Sequence, residues 1–411
     1  MADESFRIDG LDFLRGLAVM GILLPNIIMF ALPYPAVLNP FTIGTGGMAD
    51  LMVWLGSFLL FDGKMRALFA ILFGAAMLLV MESAEMNGRD GGQAHRRRML
   101  WLLPIGLAHY VLLWSGDILL LLALCGLIAT RFVRLEALSL IKLALVLLLV
   151  QWLINLAVVL PPYWLRAAAQ APGATASTMA AWRDYADQLG MGASTAVAAD
   201  MARYHLGYLD ILQLRVADAL GDAVNQLLHG LAELLAFMAL GMAMLKGGFL
   251  AGQWRPEQYR ATWRRALLVG LVPMLGLGLW VLLSRDPLTA QAAIFGWSMP
   301  LRLPIAVGLA ALAMEIAARG PGGGLVHAVR AVGRLALSNY LLCSLVMTSI
   351  FYGYGLGLYG AVDRAMLVPI MLAMWGVMLG WSALWRSHLG QGPAEWLWRR
   401  LVRGRSVAAR G

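Results

Sequence analysis

Apolar runs of 16–25 residues recur along this chain with no strand-like alternation, and they set its architecture before any single residue does. A hydrocarbon core about 30 Å thick is crossed by roughly 20 helical residues at about 1.5 Å each. Hydrophobic residues make up 61% of the 411 and charged residues 13%, and the mean hydropathy is +0.73. A soluble domain has nowhere to bury that much apolar surface. The expected fold is all-α: a polytopic integral membrane helical bundle. Cys125 and Cys343 both fall inside apolar runs, which argues against a disulfide framework or a Cys-rich metal site. The start MADESFR is acidic and the first apolar run is too long for a signal peptide, so it reads as an uncleaved first span.

Charge supplies the topology. The net +9 comes mainly from arginine, gathered at Arg89 with 96–98, at 246–265, at 319–334, and in the tail with Arg399, Arg400, Arg403 and Arg405. Cytoplasmic loops collect Lys and Arg, and such basic tails anchor on lipid headgroups, so no nucleic-acid partner is expected. Residues 32–47 hold neither Lys nor Arg, and 161–222 hold six Asp against four Arg, which places both outside. Alternation then gives about ten transmembrane helices near 10–31, 65–82, 99–115, 118–133, 136–160, 224–245, 265–283, 294–317, 335–352 and 365–386. The stretch 48–61 is 14 residues, about 21 Å as a helix, and reads as an outer re-entrant or interfacial helix. The expected organisation is an N-terminal bundle over 1–160, an outer helical insertion over 161–222, a C-terminal bundle over 223–390 and a basic cytoplasmic tail over 391–411.

Polar groups inside the apolar runs are the functional candidates. An ionised side chain at the bilayer centre costs on the order of 2.5–3.5 kcal/mol. Arg15 lies near one face of the first span, where it either anchors by snorkelling or serves a site; Asn26, further along the same segment, favours a site. His109 sits mid-span with Asp117 ending that span, and an imidazole there acts as base, acid or hydrogen-bond partner. His229 and Glu233 share a helical face at i, i+4, as a proton relay or, preferred, a mutually satisfied pair. Gln151, Asn155, Ser338, Asn339 and Tyr340 are explained by interhelical hydrogen bonds. Asp50, Asp62, Lys64, Arg66 and Asp117 collect at outer span ends, where they either neutralise one another or line a pocket for an anionic or sugar-like substrate. No metal-ligand spacing, nucleophile elbow or nucleotide fingerprint is present.

Several long blocks resemble the YeiB-like family of bacterial inner-membrane proteins, also called domain of unknown function 418. They are RIDGLDFLRGLAVMGILLPN at 7–26, DGKMRALFAILFGAAM at 62–77, RRMLWLLPIGLAHYVLLWSGDILLLLALCGL at 97–127, GRLALSNYLLCSLVMTSIFYGYGLGLYG at 333–360 and GPAEWLWRRL at 392–401. That resemblance implies a multi-pass protein of the bacterial inner membrane, and the ten-span alternation above places both termini on the cytoplasmic side. More distantly, Leu11-Asp12-x-x-Arg15-Gly16 is similar to the opening of transmembrane acyltransferases. The acyltransferase type 3 family places a histidine ten intervening residues after that arginine, where this chain has Asn26. The heparan-α-glucosaminide N-acetyltransferase family has asparagine there and takes its histidine from shortly before the second span; residues 40–50 here contain none.

Two functions follow as expectations. In the first, a membrane-embedded acyltransferase takes acyl-CoA as co-substrate near Arg15 and holds an outer-face acceptor at Asp50, Lys64, Arg66 and Asp117. His109 would deprotonate the acceptor at the narrowest point of one fixed cavity. In the second, a transporter or lipid-handling protein without enzymatic activity uses His109, His229 and Glu233 to couple protons to solute movement. Membrane lipids are partners in both, and no resident cofactor or metal is expected.

Overall fold

A computed structural model describes residues 9–42, 47–320 and 323–403, which are helical throughout their regular elements and contain no strand. The acidic start MADESFR and Arg405 lie outside the described residues. The helices are α1 Asp9–Ala31, α2 Tyr34–Leu38, α3 Met48–Leu60, α4 Lys64–Met86, α5 Gly91–Leu112, α6 Leu119–Ala129, α7 Ala137–Val159, α8 Pro161–Gln170 and α9 Ala176–Gln188. They continue as α10 Thr195–Tyr204, α11 Tyr208–Lys246, α12 Pro256–Ser284, α13 Pro287–Gln291, α14 Met299–Ala318, α15 Gly324–Arg334, α16 Ala336–Phe351, α17 Arg364–Leu389 and α18 Pro393–Arg403.

This is a multi-pass helical membrane bundle. Among the described residues every expected span is helical over most of its length, and seven helical paths are long and apolar enough to cross a membrane unaided. The pair α15–α16, bent by 85°, makes an eighth if it counts as one span. The remaining two expected crossings form the α5–α6 hairpin, which falls short of that standard. Arginines and Pro104 interrupt the apolar run of α5, though not the helix, and α6 has only 11 residues before a 3₁₀ turn at Thr130–Phe132.

The outer re-entrant or interfacial helix requires correction. α3 does not turn back; with α4 it forms one 39-residue path, Met48–Met86, broken only at 61–63. Joined end-on to α4, its short apolar run need not cross by itself. Trp54 and Phe58 are buried against Met274 and Val281 of α12, so α3 is part of the bundle. The insertion is helical as expected. At its α9–α10 corner the Thr195 hydroxyl and the Thr195 and Ala196 amides donate to Asp187, holding that carboxyl below its ordinary range.

Close backbone contact replaces hydrophobic driving force inside lipid, and small residues permit it. A Cβ on Gly74 would stand 2.1 Å from the Met238 carbonyl oxygen, and one on Gly241 would stand 1.9 Å from that of Ile71. α4 and α11 therefore touch main chain to main chain. Gly241→Val is expected to force them apart at about 1–3 kcal/mol or more, seen as a lower melting temperature in detergent. Gly276→Val, where a Cβ meets nothing within 4 Å, is the control that should not move.

Candidate functional site

Two of the cavities lined by the described residues enter the bundle. One, of about 700 Å³, lies at the end carrying α18 and the arginine-rich loops, here the basic end. The other, of about 570 Å³, lies under α10 at the opposite, insertion end. Among the described residues Tyr340 alone lines both.

Seven arginines line the basic-end cavity: Arg15, Arg89, Arg98, Arg334, Arg386, Arg399 and Arg403. Its two acidic residues are already engaged. Asp12 accepts from Arg15 at 3.0 Å and from Arg334 at 2.7 Å. Glu395 of α18 caps the exposed start of α16 through the Leu337 and Ser338 amides and the Ser338 hydroxyl. Phe69, Leu72, Phe73, Met77 and Leu102 make the deeper wall apolar. A strongly cationic mouth over an apolar shaft suits a ligand with a polyanionic head and a hydrocarbon tail.

The insertion-end cavity is built around a single π-helical turn, Ala292–Trp297. Such a turn frees carbonyls from the α-ladder, and side chains from other helices satisfy them here. Arg302 donates to Ile294 at 2.7 Å, Asn155 to Phe295 at 2.9 Å and Trp152 to Gly296 at 3.1 Å. Arg302 also bonds one oxygen of Glu233 at 2.9 Å, and Arg66 bonds the other. The expected His229–Glu233 pair is therefore corrected. Glu233 is held between α4 and α14, while His229 lines the cavity with no hydrogen-bond partner among the described residues. Asn26 and Asp62 line the same cavity, their side chains also without such partners. α1 thus presents Arg15 to one cavity and Asn26 to the other, about 16 Å apart along its axis.

The expected outer cluster divides. Asp62, Arg66 and Asp117 face the insertion-end cavity, whereas Lys64 and Asp50 are not among its lining residues. Lys64 donates instead to the Phe58 carbonyl across the α3–α4 break. Asp50 accepts from the Ala365 amide at 2.6 Å, which caps α17. Asp200, whose carboxyl is raised by burial, accepts from the Tyr34 amide at 2.8 Å and joins the lining.

His109 is fully enclosed. Its Nδ1 lies 2.7 Å from Asp117 Oδ1 and its Nε2 lies 2.8 Å from Ser344 Oγ. With Asp117 ionised, Nδ1 donates and Nε2 accepts from the Ser344 hydroxyl. The second Asp117 oxygen accepts from the Leu120 amide at 2.8 Å. His109 and Ser344 line neither cavity; Asp117 is the member of the chain that reaches the insertion-end one. The expected single cavity with His109 at its narrowest point is thus replaced by two cavities with Tyr340 between them. The Tyr340 ring packs on His109 at 4.8 Å between centroids, and its hydroxyl accepts from the Ile118 amide. Ser344 and Arg302 were not singled out from sequence. Arg302, a cation inside the expected span 294–317, carried a readable signal; Ser344, a small hydroxyl in an apolar helix, did not. Gln151, Asn155 and Asn339 make the interhelical bonds expected of them.

Residues 244–405 match a family described as a protein of unknown function (DUF418). The chain is 33% identical over 397 residues to the uncharacterised protein YeiB of Escherichia coli (strain K12), covering 95% of each. It is 31% identical over 408 residues to the uncharacterised protein YxaH of Bacillus subtilis (strain 168), covering 96% of this chain and 93% of that one. No solved structure matches.

Proposed function

From the premise that this chain belongs to the YeiB-like DUF418 family, whose relatives share nearly its whole length, we propose that it is a membrane-embedded acyltransferase. In this reading the basic end and both termini face the cytoplasm of a bacterial inner membrane, following the positive-inside rule. Acyl-CoA enters the basic-end cavity, its phosphates on the arginines and its acyl chain against the apolar shaft. The acceptor occupies the insertion-end cavity. The observation that carries the reading is Tyr340, which lines both cavities.

The step balances simply. An acceptor hydroxyl or amine attacks the thioester carbonyl, the C–S bond breaks, and the Asp117–His109 pair takes the acceptor proton and returns it to the departing thiolate. Asp117 is the member of the pair that meets the acceptor; His109 orients it and shares the proton.

The test incubates purified protein with labelled acyl-CoA and a membrane extract. Wild type is expected to move label into an extract component. Arg15→Gln is expected to raise the half-saturating acyl-CoA concentration about tenfold with little change in turnover, the pattern of a lost binding contact. A wild type that transfers no label, but drives solute uptake into sealed vesicles, would replace the enzyme with a transporter.

A further inference from the structure

We infer that the insertion-end cavity is built to hold an anionic group, a phosphate or a carboxylate, against Arg66. As a statement about the acceptor this rests on the acyltransferase reading; as a binding site it stands independently. Arg302 and Glu233 would suffice as a buried pair, since Arg302 is fixed by Ile294 and Glu233 together. A second guanidinium on the other Glu233 oxygen is surplus to that balance. Arg302 is 5% exposed, whereas the Arg66 side chain is 36% exposed and lines the cavity. Its Nη1 has no hydrogen-bond partner among the described residues, and its Nε is buried without one. Arg66 is therefore a cation held in place from behind, with donors still open.

Neighbouring carboxylates do not remove that capacity. Asp62, four residues before Arg66, lines the same cavity but forms no ion pair with it among the described residues. Asp218 is paired with Arg203 at 2.7 Å, and Asp222 accepts from the Tyr110 hydroxyl at 2.6 Å. Both lie 11–15 residues before Glu233 on α11, about 16–22 Å along the axis. The cavity thus holds Arg66 and Arg302 with Asp62 at its floor and Asp218 and Asp222 at its roof, and the open donor of Arg66 is the point for an anionic group. A molecule with an anionic group at one end and hydroxyls or an amine at the other matches this polarity.

Site-resolved protection tests the inference. Ile22 lines the cavity on α1, where Gly21 abuts Met65, next to Arg66. Ile22→Cys, in protein with Cys125 and Cys343 replaced by alanine, is labelled with a maleimide in detergent. Glycerol phosphate is expected to slow labelling while glycerol at the same concentration does not. Arg66→Gln should weaken that protection about tenfold, the scale of one charge-assisted contact, and Arg66→Lys should keep most of it. Phosphatidylglycerol in mixed micelles forms a parallel arm. Protection by the lipid alone identifies a headgroup, and protection by glycerol phosphate identifies a soluble anion. No protection by either, equal protection by glycerol, or full protection in Arg66→Gln overturns the site. Protection without label transfer would keep the site and remove the enzyme.

Discussion

Glu233→Ala should leave little folded protein, the largest stability loss expected of any single polar substitution in this bundle. Glu233 is 2% exposed and both of its oxygens are bonded, one to Arg302 and one to Arg66. Removing the carboxylate leaves Arg302, itself buried, facing only the Ile294 carbonyl and the Ser298 hydroxyl. Stripping one partner from a buried ion pair costs on the order of 3–5 kcal/mol, because the other charge stays behind uncompensated. Glu233→Gln keeps one acceptor oxygen for Arg302 and should fall in between. Arg66→Gln should be mild, since Arg66 is partly exposed and Glu233 retains Arg302. Size-exclusion profiles of a fluorescent fusion, with melting temperatures in detergent, rank the three. A monodisperse Glu233→Ala protein melting with wild type would show that the Arg302–Glu233–Arg66 chain does not hold α4, α11 and α14 together.

The sequence revealed Glu233 as a buried charge but assigned it the wrong partner, and the reason is general. The i, i+4 rule sees only one helix, whereas Glu233 found its cations on α4 and α14. Apolar run length located the seven helical paths long enough to span, and the bent α15–α16 pair, because lipid leaves a spanning backbone no alternative way to satisfy its hydrogen bonds. The same criterion misjudged 48–61, since it treats a 13-residue helix as isolated when its axis continues into the next. Arg15 and Asn26 were readable as candidates because lipid-facing polar groups are expensive, and the structure places each in the lining of a cavity. That they serve different cavities was not readable, nor was the place of Tyr340. A tyrosine in an apolar run costs little, so only the three-dimensional arrangement distinguishes it.

Asp117→Asn and His109→Gln should each lower acyl transfer about 10²–10⁴-fold, the usual worth of a positioned proton acceptor. Because the two share one hydrogen bond of 2.7 Å, the double variant should be little worse than either single. Ser344→Ala should retain most activity, since Ser344 bonds His109 from the side away from the acceptor and lines neither cavity. The competing explanation is structural: Asp117 also caps the start of α6 through the Leu120 amide, and losing such a cap costs about 0.5–2 kcal/mol. Asparagine retains an acceptor oxygen for that amide, so Asp117→Asn separates the two roles better than alanine does. The discriminating result is a collapse in turnover with the melting temperature within a few degrees of wild type. If activity and melting temperature decline together across the three variants, or if Ser344→Ala is as dead as His109→Gln, the chain is a clamp joining α5, α6 and α16. The proton acceptor must then be sought among the open groups of the insertion-end cavity, with His229 the first to replace.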